Sequence, residues 1–164
     1  MDDRTTLTQQ IGMQLAELQN AADAFDQAAA RVLGINANDL QCLALISIRG
    51  PMSAGELAEA AGLTPGAITM LVDRLERAGY ARRTRDTVDR RRVAVEATPH
   101  AMELTGSIWG PLAEEGRQAL SKYSDADLRA IASFLRDARA IQERHALRIR
   151  ALVVDDPDGA AAGS

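Results

Sequence analysis

Residues 82–92 hold six arginines against two aspartates: Arg82, Arg83, Arg85, Arg90, Arg91 and Arg92 beside Asp86 and Asp89. Guanidinium groups at this density are suited to gripping phosphate oxygens through charge-assisted, often bidentate hydrogen bonds. A guanidinium also fits a narrow minor groove, where A·T-rich DNA has an enhanced negative potential. Asp89 is placed to orient Arg90 or Arg91 by a charged hydrogen bond. A charge run alone is usually a solvated surface. Here it follows a second set of residues at helical spacing: Thr64, Gly66, Thr69, Met70, Asp73 and Arg77, with Arg74 at the edge. Small residues at a helix start let the backbone approach a partner, and the free N–H groups there favour phosphate oxygen. Thr69 can hydrogen-bond a base edge and Met70 can touch a thymine methyl, though Thr69 reads equally well as a plain exposed residue. Arg74 and Arg77 lie further along and suit phosphates. Ser53, at the head of the preceding helix, joins the expected DNA contacts.

Other chemistry finds no support. The sequence contains no P-loop, G-x-G-x-x-G, G-x-S-x-G or H-E-x-x-H. His100 and His145 have no cysteine or carboxylate at metal-ligand spacing, so neither a metal nor another cofactor is expected. The reading excludes an enzyme. Cys42 is the single cysteine, which rules out an intrachain disulfide. It falls in the most apolar segment and reads as an inert buried thiol. No apolar run approaches the roughly 20 residues that cross a bilayer, and the acidic start Met1-Asp2-Asp3-Arg4 is unlike a signal peptide. A cytoplasmic protein with no membrane partner is expected. The formal net charge of −4 is unusual for a DNA binder, but the positive charge is concentrated where a phosphate surface needs it.

These residues need elements to hold them. Leu7, Ile11, Leu15, Leu18, Ala22, Phe25, Ala29 and Val32 recur at steps of three or four and predict a long helix over 6–33 with one apolar stripe. Gly34 ends it. Asn36 with Asp39 starts a strongly apolar helix that Gly50-Pro51 stops. Ser53-Ala54-Gly55-Glu56 is a capping box for a short helix with Leu57, Ala58 and Ala61 inward, closed by Gly62. Thr64-Pro65 supplies an N-cap and a proline in the first turn. The following helix, over 65–78, points Ile68, Leu71, Val72 and Leu75 inward. Two strands, 80–85 and 91–97, form a hairpin with an arginine-rich tip. In the second strand Val93, Val95 and Ala97 alternate with Arg92, Ala94 and Glu96. Thr98-Pro99 opens a helix to about residue 123, expected to bend near Gly110-Pro111. Ser124 with Asp127 caps the last helix, whose stripe includes Leu128, Ile131, Leu135, Ala138, His145 and Ile149.

The fold class is therefore mainly α with a small β-hairpin wing: a winged helix-turn-helix flanked by long dimerisation helices. The expected division is an N-terminal dimerisation helix over 1–34, a DNA-binding domain over 35–98, C-terminal dimerisation helices over 99–154 and a disordered tail over 155–164. Stripes as long as those of Leu7, Ile11 and Leu15, and of Leu128, Ile131, Leu135 and Ile149, call for a second copy of the chain.

The run Met52 to Ala58, continued by Leu71-Val72-Asp73-Arg74-Leu75-Glu76-Arg77-Ala78-Gly79-Tyr80, resembles the MarR family of bacterial regulators, as does Asp89-Arg90-Arg91-Arg92-Val93-Ala94-Val95 leading into Thr98-Pro99. The resemblance covers about residues 35–101. It implies a homodimer with intertwined terminal helices, spread across a pseudo-palindromic operator in double-stranded DNA. It implies that Arg91 enters the minor groove, held by Asp89. It also implies transcriptional repression relieved by a small aromatic or lipophilic ligand. Phe25, Leu43 and Trp109 are the candidate pocket residues, although Phe25 and Trp109 suit core packing equally well. Two positions depart from the family pattern. Met70 stands where an arginine is common, and Ala97-Thr98-Pro99-His100-Ala101 replaces Leu-Thr-x-x-Gly. The alternative reading is a winged-helix protein acting mainly on another protein, with DNA binding weak or lost.

Overall fold

A computed structural model of the chain describes residues 3–85 and 93–154, with side chains to residue 152. The expected hairpin tip, including Asp89, Arg90 and Arg91, and the expected tail over 155–164 lie outside the described residues. The contacts divide the chain into two compact units, Met1–Pro111 and Leu112–Ser164.

The first unit opens with α1 (Asp3–Leu33) and α2 (Ala37–Arg49). Asn36 caps α2, its side chain accepting a hydrogen bond from the Asp39 N–H at 2.9 Å. A two-residue strand, β1 (Met52–Ser53), runs directly into α3 (Ala54–Ala61). Ser53 and Glu56 form the full capping box: the Ser53 N–H donates to Glu56 at 2.8 Å, and the Glu56 N–H donates to the Ser53 hydroxyl at 3.2 Å. Gly62 then adopts φ +67°, a left-handed conformation that costs glycine little. The Leu63 N–H closes back on the Ala58 carbonyl at 3.0 Å. This short turn sets the direction of α4 (Pro65–Arg77), which Thr64 caps through the Ala67 N–H at 3.3 Å.

The wing is a three-stranded antiparallel sheet in the order β1-β3-β2, with β2 at Ala81–Arg85 and β3 at Val93–Ala97. The sequence reading missed β1, because two residues carry no alternation signal. It also erred on β3. Strict alternation puts Val93 and Val95 inward and Ala94 outward. Instead Val93 is 53 % exposed, while Ala94 and Val95 are both buried. The register explains this. Ala94 lies between Ser53 and Thr84, and Val95 between Met52 and Arg83, whereas Val93 pairs only with Arg85. A small side chain on a middle strand is covered by its neighbours on either side, and the strand end is not.

The core joins Leu40, Cys42, Leu43 and Ile46 of α2 to Leu57 of α3, the inner face of α4 and Val95 of β3. The last turn of α1 contributes Ala29, Ala30 and Leu33. Val32, expected on the inner stripe, is 77 % exposed. The helix docks through Leu33 and ends there, as the Tyr80 hydroxyl donates to the Leu33 carbonyl at 2.9 Å. Cys42 is fully buried. Burial, and secondarily the Asp39 charge, push its thiol up to about 11. A thiol reagent at pH 8 should therefore label the folded chain far more slowly than the urea-unfolded chain, because the enclosed thiol must first be uncovered. Equal rates would show that the core around α2 opens readily.

Helix α5 (Pro99–Leu120) follows, with Thr98 donating to the Gly79 carbonyl at 2.7 Å and accepting from the Ala101 N–H at 3.1 Å. Ala101, standing where the family pattern has glycine, is fully buried, so its methyl group fills core space. Pro111 lies inside α5 without ending it. Phe25 and Trp109 meet edge to face with centroids 5.7 Å apart.

The second unit holds the end of α5 and α6 (Asp125–Val154). Ser124 and Asp127 cap α6 reciprocally. Leu128, Ile131 and Ala138 are half-buried, while Leu135, Ile141 and Ile149 are exposed. His145 is exposed as well.

Candidate nucleic-acid interface

Helix α4 has two chemically distinct faces. Ile68, Leu71, Val72 and Leu75 are at most 1 % exposed. The opposite face presents Thr64, Gly66, Thr69, Met70, Asp73 and Arg77, all exposed. Met70 is 65 % exposed on a helix whose other large apolar side chains are enclosed. A Cβ built on Gly66 would meet no described atom within 4 Å. The packing of the described residues therefore does not demand a small residue there, although close approach of a partner to the helix start would.

Local hydrogen bonds already prepare several of these groups. The Thr69 hydroxyl donates back to the Pro65 carbonyl at 3.0 Å, so in this rotamer its oxygen presents acceptor lone pairs and its methyl group to a partner. An exocyclic base amine suits that presentation. The Ser53 hydroxyl donates to Glu56 at 2.6 Å while capping α3. Ser53 thus holds the supporting helix in place.

Arg74, expected at the edge of this surface, turns inward. Its Nη2 and Nε donate to the Asp39 carboxylate at 2.6 and 3.0 Å. The Asp39 hydrogen bond holds the guanidinium above its already high ordinary pKa. Asp39 is 2 % exposed, the one buried charged residue among those described. It also accepts from the Asn36 amide at 3.0 Å. The start of α2 and the far half of α4 are thus tied by a forked ion pair. Thirty-five positions separate its members, and helical periodicity carries no signal for such a pair.

A second cluster connects α4 to the wing. Arg83 of β2 donates to Asp73 at 2.7 Å and forms a close ion pair with Glu76. The Arg83 backbone N–H also donates to Glu76 at 2.9 Å. The Asp73 hydrogen bond, followed by the fields of the two carboxylates, raises the Arg83 pKa. Arg82 pairs with Glu96 across the strands at 2.6 Å. Of the described arginines in this segment, Arg85 alone is left exposed with no ion pair given to it by the structure. The positive charge concentrated in this segment is expected from the sequence to form a phosphate-contacting surface. Two of its members instead neutralise acids of the same chain.

The suggested ligand residues are not all of one kind. Phe25 and Trp109 are partly exposed and in mutual contact, whereas Leu43 is fully enclosed in the core. Among the described residues no cluster of His, Cys, Asp and Glu could hold a metal ion, and no helix is long and apolar enough to cross a membrane.

Comparison with known proteins places this geometry. Residues 35–93 match the MarR family. The chain is 38 % identical over 126 residues to the uncharacterized HTH-type transcriptional regulator YcgE of Bacillus subtilis (strain 168), covering 77 % of this chain and 82 % of the relative. Its fold is similar to that of the transcriptional regulator Tm0710 from Thermotoga maritima, with a TM-score of 0.58 and 26 % identity over 84 % of this chain and 96 % of the other. It is also similar to NadR, solved in complex with 4-hydroxyphenylacetate, with a TM-score of 0.58 and 20 % identity over 78 % and 91 % of the two chains.

Proposed function

This chain belongs to the MarR family of HTH-type transcriptional regulators, a family of non-enzymes, and on that premise we propose that it is a homodimeric repressor of a pseudo-palindromic operator, released by a small aromatic or lipophilic ligand. The two-faced character of α4 carries the reading. A helix with its apolar side fully enclosed and a polar, close-approach side left open is suited to the major groove. Thr64, Gly66, Thr69 and Met70 face the bases, Arg77 meets a phosphate, and Arg90 and Arg91 reach the minor groove, with Asp89 holding Arg91. Arg74 serves by fixing α4 on α2.

A second copy accounts for the stripes of the terminal helices. Leu7, Ile11 and Ile149 are each about half exposed in a single chain, and apolar surface repeated along a whole helix calls for a self-complementary partner. The exposed edges of Phe25 and Trp109 are suited to a flat apolar ligand. The 4-hydroxyphenylacetate of the NadR complex likewise presents a flat aromatic ring, with polar groups at its two ends.

Selection of bound genomic fragments, followed by fluorescence anisotropy and sedimentation of the retained duplex, tests the function. Two chains per duplex and an affinity that falls steeply with salt are expected, since several phosphate contacts release counterions. Flat anisotropy on every fragment would sink the reading. With a retained duplex, Arg91→Ala should weaken binding by about 1–3 kcal/mol, the usual loss for a charged hydrogen bond. Unchanged affinity would remove Arg91 from the contacts.

A further inference from the structure

Two carboxylates on a helix that approaches a polyanion are an electrostatic problem. Asp73 and Glu76 both lie on α4, and Asp73 belongs to its exposed face, with its side chain 52 % accessible. Left alone, they would repel the phosphates that Arg77 and the wing attract. We infer that Arg83 is a positioning residue for DNA binding, which offsets the charge of Asp73 and Glu76 and locks the wing onto α4, and that it is not itself a phosphate ligand.

Three observations support this assignment, which rests on the DNA-binding function proposed above. First, Arg83 engages both acids at once, donating to Asp73 at 2.7 Å while pairing closely with Glu76. A single positive charge already shared between two carboxylates gains little Coulomb energy from a third anion beside them. Second, the Arg83 backbone N–H donates to the same Glu76 carboxylate. Glu76 therefore holds the main chain of β2 as well as its side chain, which fixes the strand leading to the wing tip. Third, Arg77 completes the group on the other side, its Nε donating to the Asp73 carbonyl at 3.2 Å. One guanidinium on two carboxylates offsets half of their negative charge where β2 meets α4.

A double-mutant cycle on the full chain separates this role from direct contact. A duplex retained by the wild-type protein is titrated with wild type, R83M, D73N/E76Q and the triple variant, each verified as folded by its melting transition. R83M should weaken binding roughly tenfold in the native background, where it exposes two uncompensated acids to the phosphates. The same change should cost less than about twofold in the D73N/E76Q background, because nothing remains to neutralise. If R83M does not fold, Arg83→Gln takes its place in both backgrounds, with the same outcomes expected. Equal losses in both backgrounds would make Arg83 a phosphate ligand, and no loss in either would make it irrelevant to binding. Both results overturn the inference and leave the function intact. A wild-type protein that retains no duplex overturns the function and the inference together.

Discussion

Replacing Leu75 by alanine is expected to cost about 3–5 kcal/mol of unfolding free energy. Leu75 is fully buried on the inner face of α4, among Ile68, Leu71 and Val72. Its removal takes away apolar contact and leaves a cavity that the surrounding α2 and α3 side chains cannot easily fill, since both helices are pinned by their own caps. A loss of this size is a large share of a domain's usual stability. Urea titration at one fixed protein concentration measures it, because an assembling protein's midpoint depends on concentration. Met70→Ala, five residues earlier on the same helix, is the internal control. Its side chain is 65 % exposed, so the change should stay within about 0.5 kcal/mol. A Leu75→Ala loss below that of Met70→Ala would mean that α4 is not seated as described.

The second large effect concerns the forked ion pair, and it is asymmetric. Asp39→Ala should cost about 2 kcal/mol. The Asp39 carboxylate accepts three side-chain hydrogen bonds, two from Arg74 and one from Asn36. When it is removed, the donors are not stranded: the Arg74 side chain is 38 % exposed and can take up water instead. Arg74→Ala should cost more than Asp39→Ala, although the interaction lost is the same one. It leaves a carboxylate enclosed within the first unit without its counter-charge, and the stranded charge dominates the cost. Both variants should also weaken DNA binding, because the pair sets how the far half of α4 lies on α2. Equal losses of stability in the two variants, or a larger one in Asp39→Ala, would contradict this account.

The sequence by itself determined every element whose cause is local. The caps at Asn36, Ser53, Thr64 and Ser124 are side chains bonding to backbone within three residues, so their types and spacing sufficed to predict them. The inner face of α4 followed from the helical period. The turn at Gly62 followed from the one residue that adopts its backbone angle cheaply. The three-strand order, by contrast, depends on a pairing of Met52–Ser53 with β3 over forty positions away, and so does the burial of Ala94. The partners of Arg74 and Arg83 also lie on other elements. Arginine reads the same in a sequence whether it faces solvent, a buried aspartate or a phosphate. Which of the three it meets depends on which acids tertiary packing brings within about 3 Å, the reach of a hydrogen bond, and only the folded chain decides that.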